Sequence, residues 1–324
     1  MLISRQYCFV GDGRRHLVLS NENIVVRVQK KMESNTVEHV KKTLLFHDRF
    51  LMKWFRGFIC AQYKQIVSSD DVFADIVPRV ELSVLSTANL MCRNTIEVKP
   101  KCALVEREGL PPRFVAEQSA GGADYVFDPT PIWSGCDKAG ILESLSTGRS
   151  HPKKYVRIHS WKDMSGQDPL ELLVNALMSD KGRQVLVQLE RLQKVATDEF
   201  AKLIANLPID YTKDPESIDF YGPSEFPTPE TFRELVVNAS SSWDLDRVVN
   251  AFLAGRMAMD VSLMISFFSA DEIPVPSELC VFPVADGIWC TIGIVDTDLK
   301  HRQKISFYAN QFDLALALFP PACS

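Results

Sequence analysis

The 324-residue chain has no C-x-x-C pair, and its eight cysteines and six histidines are scattered along the sequence. A zinc site needs convergent ligand pairs, so reduced core thiols are expected instead. No run approaches the roughly 18 to 20 apolar residues of a membrane span. The most apolar stretches, Val261–Phe268 and Leu314–Pro321, are far shorter, so no membrane partner is expected. An excess of positive charge is also missing: Lys plus Arg is 36 against Asp plus Glu 41, a net charge of −5. That argues against a broad nucleic-acid-binding surface, while leaving room for a local basic pocket. The opening residues MLISRQYCFVGDG lack the basic segment, apolar core and small-residue cleavage site of a secretory signal. An intracellular protein, cytoplasmic and/or nuclear, is expected. No internal repeat is visible. What is present is a globular composition, 46% hydrophobic and 24% charged, which disfavours disorder and coiled coil and suits a folded enzyme or binding domain.

Short β-rich runs at Tyr7–Phe9, Leu17–Leu19 and Ile24–Val28 alternate with turn signals at 11–13 and 20–23, predicting antiparallel strands. Apolar positions in Glu38–Met52 recur at helical spacing, so one helix is expected to pack on that sheet. Further strands are expected at Val80–Leu85 and Thr95–Val98. Helices follow at Pro169–Met178, Lys181–Leu207, Thr228–Ala239 (with Thr228 as N-cap and Pro229 in the first turn) and Asp244–Met257. Strands Val261–Phe268 and Ile288–Val295 precede a last helical segment. The fold class expected is α+β: a small β-rich N-terminal lobe over residues 1–93 and a larger mixed C-terminal lobe over 94–324.

Three groups of residues carry chemistry. In the first, glycines 11 and 13 sit between two strands, where backbone amides can approach a phosphate closely, as in kinase glycine-rich loops; the same pattern serves a plain hairpin turn. Arg27, flanked by valines on the next strand, needs an anionic partner if it points inward. In the second, Ile96-Glu97-Val98-Lys99-Pro100-Lys101, the alternation of a strand puts an acid and two cations on one face. Such a row suits phosphate, and equally a solvated strand face. In the third, Asp260 immediately precedes one apolar run and Asp296 immediately follows the other, so a hairpin places both carboxylates at one end of a ribbon. Phosphoryl transfer uses one carboxylate as base and another to hold magnesium, although aspartate is also an ordinary turn residue. Lys300, Lys304 and Tyr308 then follow at steps of four, one stripe if the segment is helical.

The ordered set GDGxxxLVL, VVRVQK, IEVKPKC, FDPxxxWSG, MDVSLMI and VDTDLKxxxKxxxYxxQFD resembles the inositol-pentakisphosphate 2-kinase family, whose signature is Glu-x-Lys-Pro-Lys. The likeness runs in the family's order from about Tyr7 to Leu316. It implies a two-lobed kinase-like fold that binds ATP and Mg²⁺ and transfers the γ-phosphate to the 2-hydroxyl of inositol 1,3,4,5,6-pentakisphosphate, giving inositol hexakisphosphate. Carried over by position, Gly13, Arg14, Arg15 and His16 lie in the nucleotide loop, and Arg27 faces the ATP phosphates. Glu97, Val98 and Lys99 are nucleotide-side, as is Arg157. Asp260 is the base, and Asp296 the ligand of ATP-bound magnesium. Lys101, Lys300, Lys304 and Tyr308 grip acceptor phosphates.

The chain also departs from that pattern. Arg14, Arg15 and His16 replace small residues and Asn, and Lys304 stands where Arg is common. Lys153 and Lys154 replace a paired Asn, and Lys153 is expected to reach the acceptor. No hinge motif is evident in Ser83–Met91. Between Lys101 and Phe127 an Arg-Tyr-Cys-Met-His-Gln-like helical segment is expected to be absent. The alternative to an active kinase is a catalytically impaired inositol-phosphate-binding protein of the same fold.

Overall fold

The computed structural model describes residues 8–12, 16–20, 24–29, 45–59, 63–65, 84–88, 94–102, 104, 112–120, 126–135, 137–162, 164, 166–212, 219–269 and 279–310. The protein is mixed α+β, with two five-stranded sheets. Strands β1 (Cys8–Asp12), β2 (His16–Ser20) and β3 (Ile24–Gln29) form at the short β-rich runs read from the sequence. They are followed by helix α1, a π-helical turn His47–Leu51 running into Met52–Trp54, and by β4 (Tyr63–Gln65) and β5 (Val84–Ala88). The first sheet has the order β1-β2-β3-β5-β4, and every pair in it is antiparallel.

Of the helix expected over Glu38–Met52, residues 38–44 lie outside the described residues, and the described part runs into α1. Phe46, Phe50 and Trp54 recur at steps of four, one stripe on one face. That stripe is committed to aromatic residues far along the chain: Phe50 lies 5.3 Å from Phe220 and Trp54 lies 4.9 Å, edge-on, from Phe226. The segment then joins the second sheet's surroundings, Phe58 O accepting from Ile294 N at 2.7 Å. Residues 46–59 thus belong to the same core as the elements beyond residue 94.

The remaining elements are β6 (Thr95–Val98), α2 (Arg113–Ala120), α3 (Thr130–Ser134), α4 (Lys138–Ser150), β7 (Val156–Ser160), α5 (Pro169–Met178), α6 (Asp180–Gln193), α7 (Asp198–Ala205), α8 (Pro229–Asn238), α9 (Ser242–Ala258), β8 (Ser262–Ser269), β9 (Val281–Ala285) and β10 (Ile288–Val295). The second sheet has the order β7-β6-β8-β10-β9, again wholly antiparallel. The two late apolar runs do pair directly, Ser262 opposite Val295, while β9 takes the edge beyond β10. No helix among the described residues is long and apolar enough to cross a membrane.

Two expectations need correction. The single helix expected over Lys181–Leu207 is two helices, because Thr197 caps a new start by accepting from Phe200 N. Nor is the stretch between Lys101 and Phe127 without a helix, for α2 occupies Arg113–Ala120. Gln118 anchors it by donating to Phe127 O at 2.9 Å and accepting from Phe127 N at 3.0 Å. A helix of eight residues, RFVAEQSA, is too short to show clear helical periodicity, and this side-chain clamp lies outside any pattern of apolar spacing.

The long helix α9 is buried along nearly its whole length. Gly255 permits this, since a Cβ there would collide with the carbonyl oxygen of Leu192 and with Ala196. Helix α6 is held to the same place by Gln193, whose Nε2 donates to Ala258 O at 2.9 Å and to Lys101 O at 3.2 Å. One buried amide therefore ties the end of α9 to the chain leaving β6.

Candidate functional site

In an antiparallel sheet, alternate strands end where their neighbours begin. The exit of β6, the entry of β8, the exit of β10 and the entry of β7 all lie at one end of the second sheet. That topology gathers Lys99, Lys101, Asp260, Ser262, Asp296, Lys153 and Arg157 from four separate parts of the chain.

Glu97 is the centre of the first cluster. Its side chain is buried, yet Oε2 lies 3.1 Å from His159 Nε2 and Oε1 accepts from Ser262 Oγ at 3.0 Å. Lys99 Nζ is 3.5 Å from Glu97 Oε1 and 3.5 Å from Asp296 Oδ2, and Arg157 Nη1 is 3.9 Å from Glu97 Oε2. Burial by itself would raise the carboxyl pKa, but the His159 hydrogen bond, the Lys99 charge and the Ser262 hydroxyl outweigh it and hold the group down at about 2. Val98, the next residue of β6, is wholly buried in the apolar core.

Ser262 Oγ also lies 2.9 Å from Asp296 Oδ2. A hydroxyl has one proton, and two carboxylates compete for it. Asp296 sits in the left-handed region at φ 60, just past the last residue of β10, a conformation that Asp tolerates better than most residues. Among the described residues no group of three or more His, Cys, Asp or Glu side chains converges to enclose a metal. Magnesium, however, is usually held by one or two carboxylates together with nucleotide phosphates. Asp296, with Glu97 beside it and Lys99 between the two, would be the carboxylate available to hold such an ion.

The second cluster surrounds Asp260. Lys300 Nζ reaches its Oδ2 at 2.7 Å and Lys101 Nζ its Oδ1 at 3.4 Å. Burial raises the Asp260 pKa, but the two ammonium charges overcome it, so the net direction is down and the group is ionised at neutral pH. Lys101 is itself left-handed, at φ 53, a conformation costing about 1–2 kcal/mol for a residue with a Cβ. It is held there through its carbonyl by Gln193, after Trp133 Nε1 has fixed Pro100 O at 3.0 Å.

Asp260 opens onto a cleft of about 440 Å³, lined also by Lys101, Lys153, Lys304, Tyr308 and Arg256. The expected helical stripe from Lys300 to Tyr308 is only partly helical. Lys300 arrives on an extended segment, a 3₁₀ turn covers Arg302–Lys304, and the helix runs from residue 305. All three side chains nonetheless reach the same place. Lys153 lines the cleft, whereas Lys154 Nζ turns away to Arg149 O at the end of α4. Helix α2 contributes Phe114 and Glu117 to the wall, with Tyr155 5.3 Å from Phe114.

Of the residues expected at the nucleotide, His16 opens β2 and Arg27 lies within β3, paired with Val18 and Leu85. Gly13, Arg14 and Arg15 lie outside the described residues, and of Ser83–Met91 the residues Val84–Ala88 form β5 while the other four also lie outside them. Sequence reasoning missed His159 and Arg256. His159 was legible as the residue two beyond Arg157 on an alternating strand; Arg256 reads simply as a cation in the last turn of a helix. Compared with known proteins, the chain matches no protein-family model and no curated protein.

Proposed function

We propose that the protein is an ATP-dependent kinase of an inositol polyphosphate, with the 2-hydroxyl of inositol pentakisphosphate as the acceptor implied by the family resemblance. The observation that carries this reading is the convergence on one cleft of Asp260, Lys101, Lys153, Lys304 and Tyr308, with Lys300 paired to Asp260. These residues come from segments up to two hundred positions apart, and each is of a type that phosphoryl transfer to a phosphorylated polyol requires.

In the reaction proposed, acceptor phosphates draw Lys101 and Lys300 away from Asp260. Losing those charges, and gaining anionic neighbours, raises the Asp260 pKa from its depressed value and makes it a better base for the acceptor hydroxyl proton. Lys99, held between Glu97 and Asp296, faces the transferred phosphate as a point charge. Asp296 would hold magnesium with the nucleotide, and the ion when bound neutralises phosphate charge in the transition state. The two-lobed arrangement, with the first sheet covering the nucleotide and the second sheet and its helices, joined in their core by residues 46–59, holding the acceptor, belongs to the same proposal. It is supported by the all-antiparallel first sheet and its Gly-punctuated opening hairpin.

The test is a coupled assay of ATP consumption with purified chain, magnesium and inositol pentakisphosphate. Steady acceptor-dependent turnover, with inositol hexakisphosphate as product, is expected. Binding of the pentakisphosphate without turnover would replace this reading with the binding-only alternative.

A further inference from the structure

Arg256 stands in the last turn of α9, one turn before Asp260, and is 8% exposed. Its Nη1 donates to Ala196 O at 3.1 Å and lies 3.4 Å from Asp198 Oδ1, so the guanidinium is anchored to the start of α7. One flat face of it lies 4.0 Å from the centroid of the Tyr308 ring. The residue is also part of the cleft wall, with Lys304, Tyr308 and Asp260. A buried guanidinium held through Nη1 by a carboxylate and a carbonyl and packed on an aromatic ring loses little entropy on binding a further anion, and its planar donors match phosphate oxygens better than an ammonium does.

We infer that Arg256 is an acceptor-binding residue: with Lys304 and Tyr308 it forms a phosphate subsite next to the attacked hydroxyl. The inference rests on the proposed kinase reading for the identity of the acceptor. Its geometry explains the orientation of Tyr308 as well. The Arg256 guanidinium packs one side of the phenol ring, and Phe252 lies 6.1 Å from it edge-on. A phosphate bound in this subsite is therefore gripped by the fork of Arg256, the point charge of Lys304 and the Tyr308 hydroxyl. A rigid fork supplies direction, so the subsite fixes which way the acceptor ring presents its reacting oxygen to Asp260.

Removing Arg256 outright takes a buried cation away from buried Asp198, which threatens folding, so the test uses Arg256→Lys, which keeps the charge and loses the fork. Calorimetric titration of the whole chain with inositol pentakisphosphate and, separately, with ATP is expected to show acceptor affinity weakened about tenfold, the scale of one charge-assisted hydrogen bond, and ATP affinity unchanged. Adding Lys304→Arg to the Arg256→Lys variant places a fork on the neighbouring cleft wall and is expected to recover most of the loss. Unchanged acceptor affinity, equal loss for both ligands, or no recovery in the double variant would overturn the assignment and return Arg256 to a purely structural ion pair. Wild-type chain that binds the pentakisphosphate in an Arg256-dependent way without turning it over would sink the kinase reading and leave the subsite standing. No binding at all would sink both.

Discussion

Replacing Glu97 with glutamine removes a charge from the best-connected buried carboxylate of the site and should change how stability depends on pH. In the folded chain the Glu97 pKa is held at about 2, against an ordinary value of 4.5. Because the folded value is the lower one, ionised Glu97 stabilises the fold at every pH above about 4.5, and that stabilisation is lost as pH falls toward 2. A gap of this size corresponds to on the order of 3 kcal/mol. The side chain is only 11% exposed, so solvent screening takes little from it. Glutamine keeps the shape and a hydrogen-bond acceptor but not the attraction of Lys99. The assay is urea denaturation of both chains at a series of pH values from 7 to 2. Wild type is expected to be more stable at pH 7 by a few kcal/mol, and the two curves should close on each other between pH 5 and 2. Curves that stay parallel across that window would refute the reasoning, showing that the His159, Lys99 and Ser262 contacts do not hold the carboxylate in its charged form.

Lys300 pairs with half-exposed Asp260, so Lys300→Ala is expected to weaken pentakisphosphate binding more than ATP binding, with the difference shrinking as salt rises from 50 to 500 mM. Equal affinity for the acceptor at low ionic strength would remove it from the site. Glu117 is an acid on the wall of a cleft otherwise rich in cations. Glu117→Gln is therefore expected to tighten acceptor binding about fivefold, the effect of removing one like charge at about 4 Å in water, and weaker binding in the same titration would contradict it.

Much of the second sheet was legible because its strands end in residues that do not suit strands. The apolar runs at 261–268 and 288–295 carry an aspartate at one end each, and an antiparallel pairing leaves no choice but to bring those ends together. Lys99 and Lys101 were legible from alternation, although β6 stops at Val98 and the two lysines are held by Tyr155, Trp133 and Gln193 instead of by a continuing strand. The left-handed backbone at Lys101 and Asp296 leaves no mark in residue type, since neither is glycine. Helix α2 was hidden for a different reason: its stability comes from the Gln118 clamp on Phe127, a contact between side chain and distant backbone. With it in place, Arg113, Phe114 and Gln118 occupy the first, second and sixth positions of a helix, as Arg, an aromatic residue and Gln do in the segment whose loss was expected. Arg256 escaped notice because its partners, Ala196, Asp198 and Tyr308, lie more than fifty residues away on either side.

In the proposed reaction Asp260 takes the acceptor proton, and the direct measurement is transfer of label from γ-labelled ATP to inositol pentakisphosphate by wild type and by Asp260→Asn, with acceptor affinity measured alongside. Wild type is expected to place label in inositol hexakisphosphate. The variant should do so roughly 10²- to 10⁴-fold more slowly, the contribution of a positioned general base. Its acceptor affinity should be unchanged or tighter, because Lys101 and Lys300 are then released from their carboxylate partner. No transfer by wild type, or a variant that transfers label at the wild-type rate, would contradict the account.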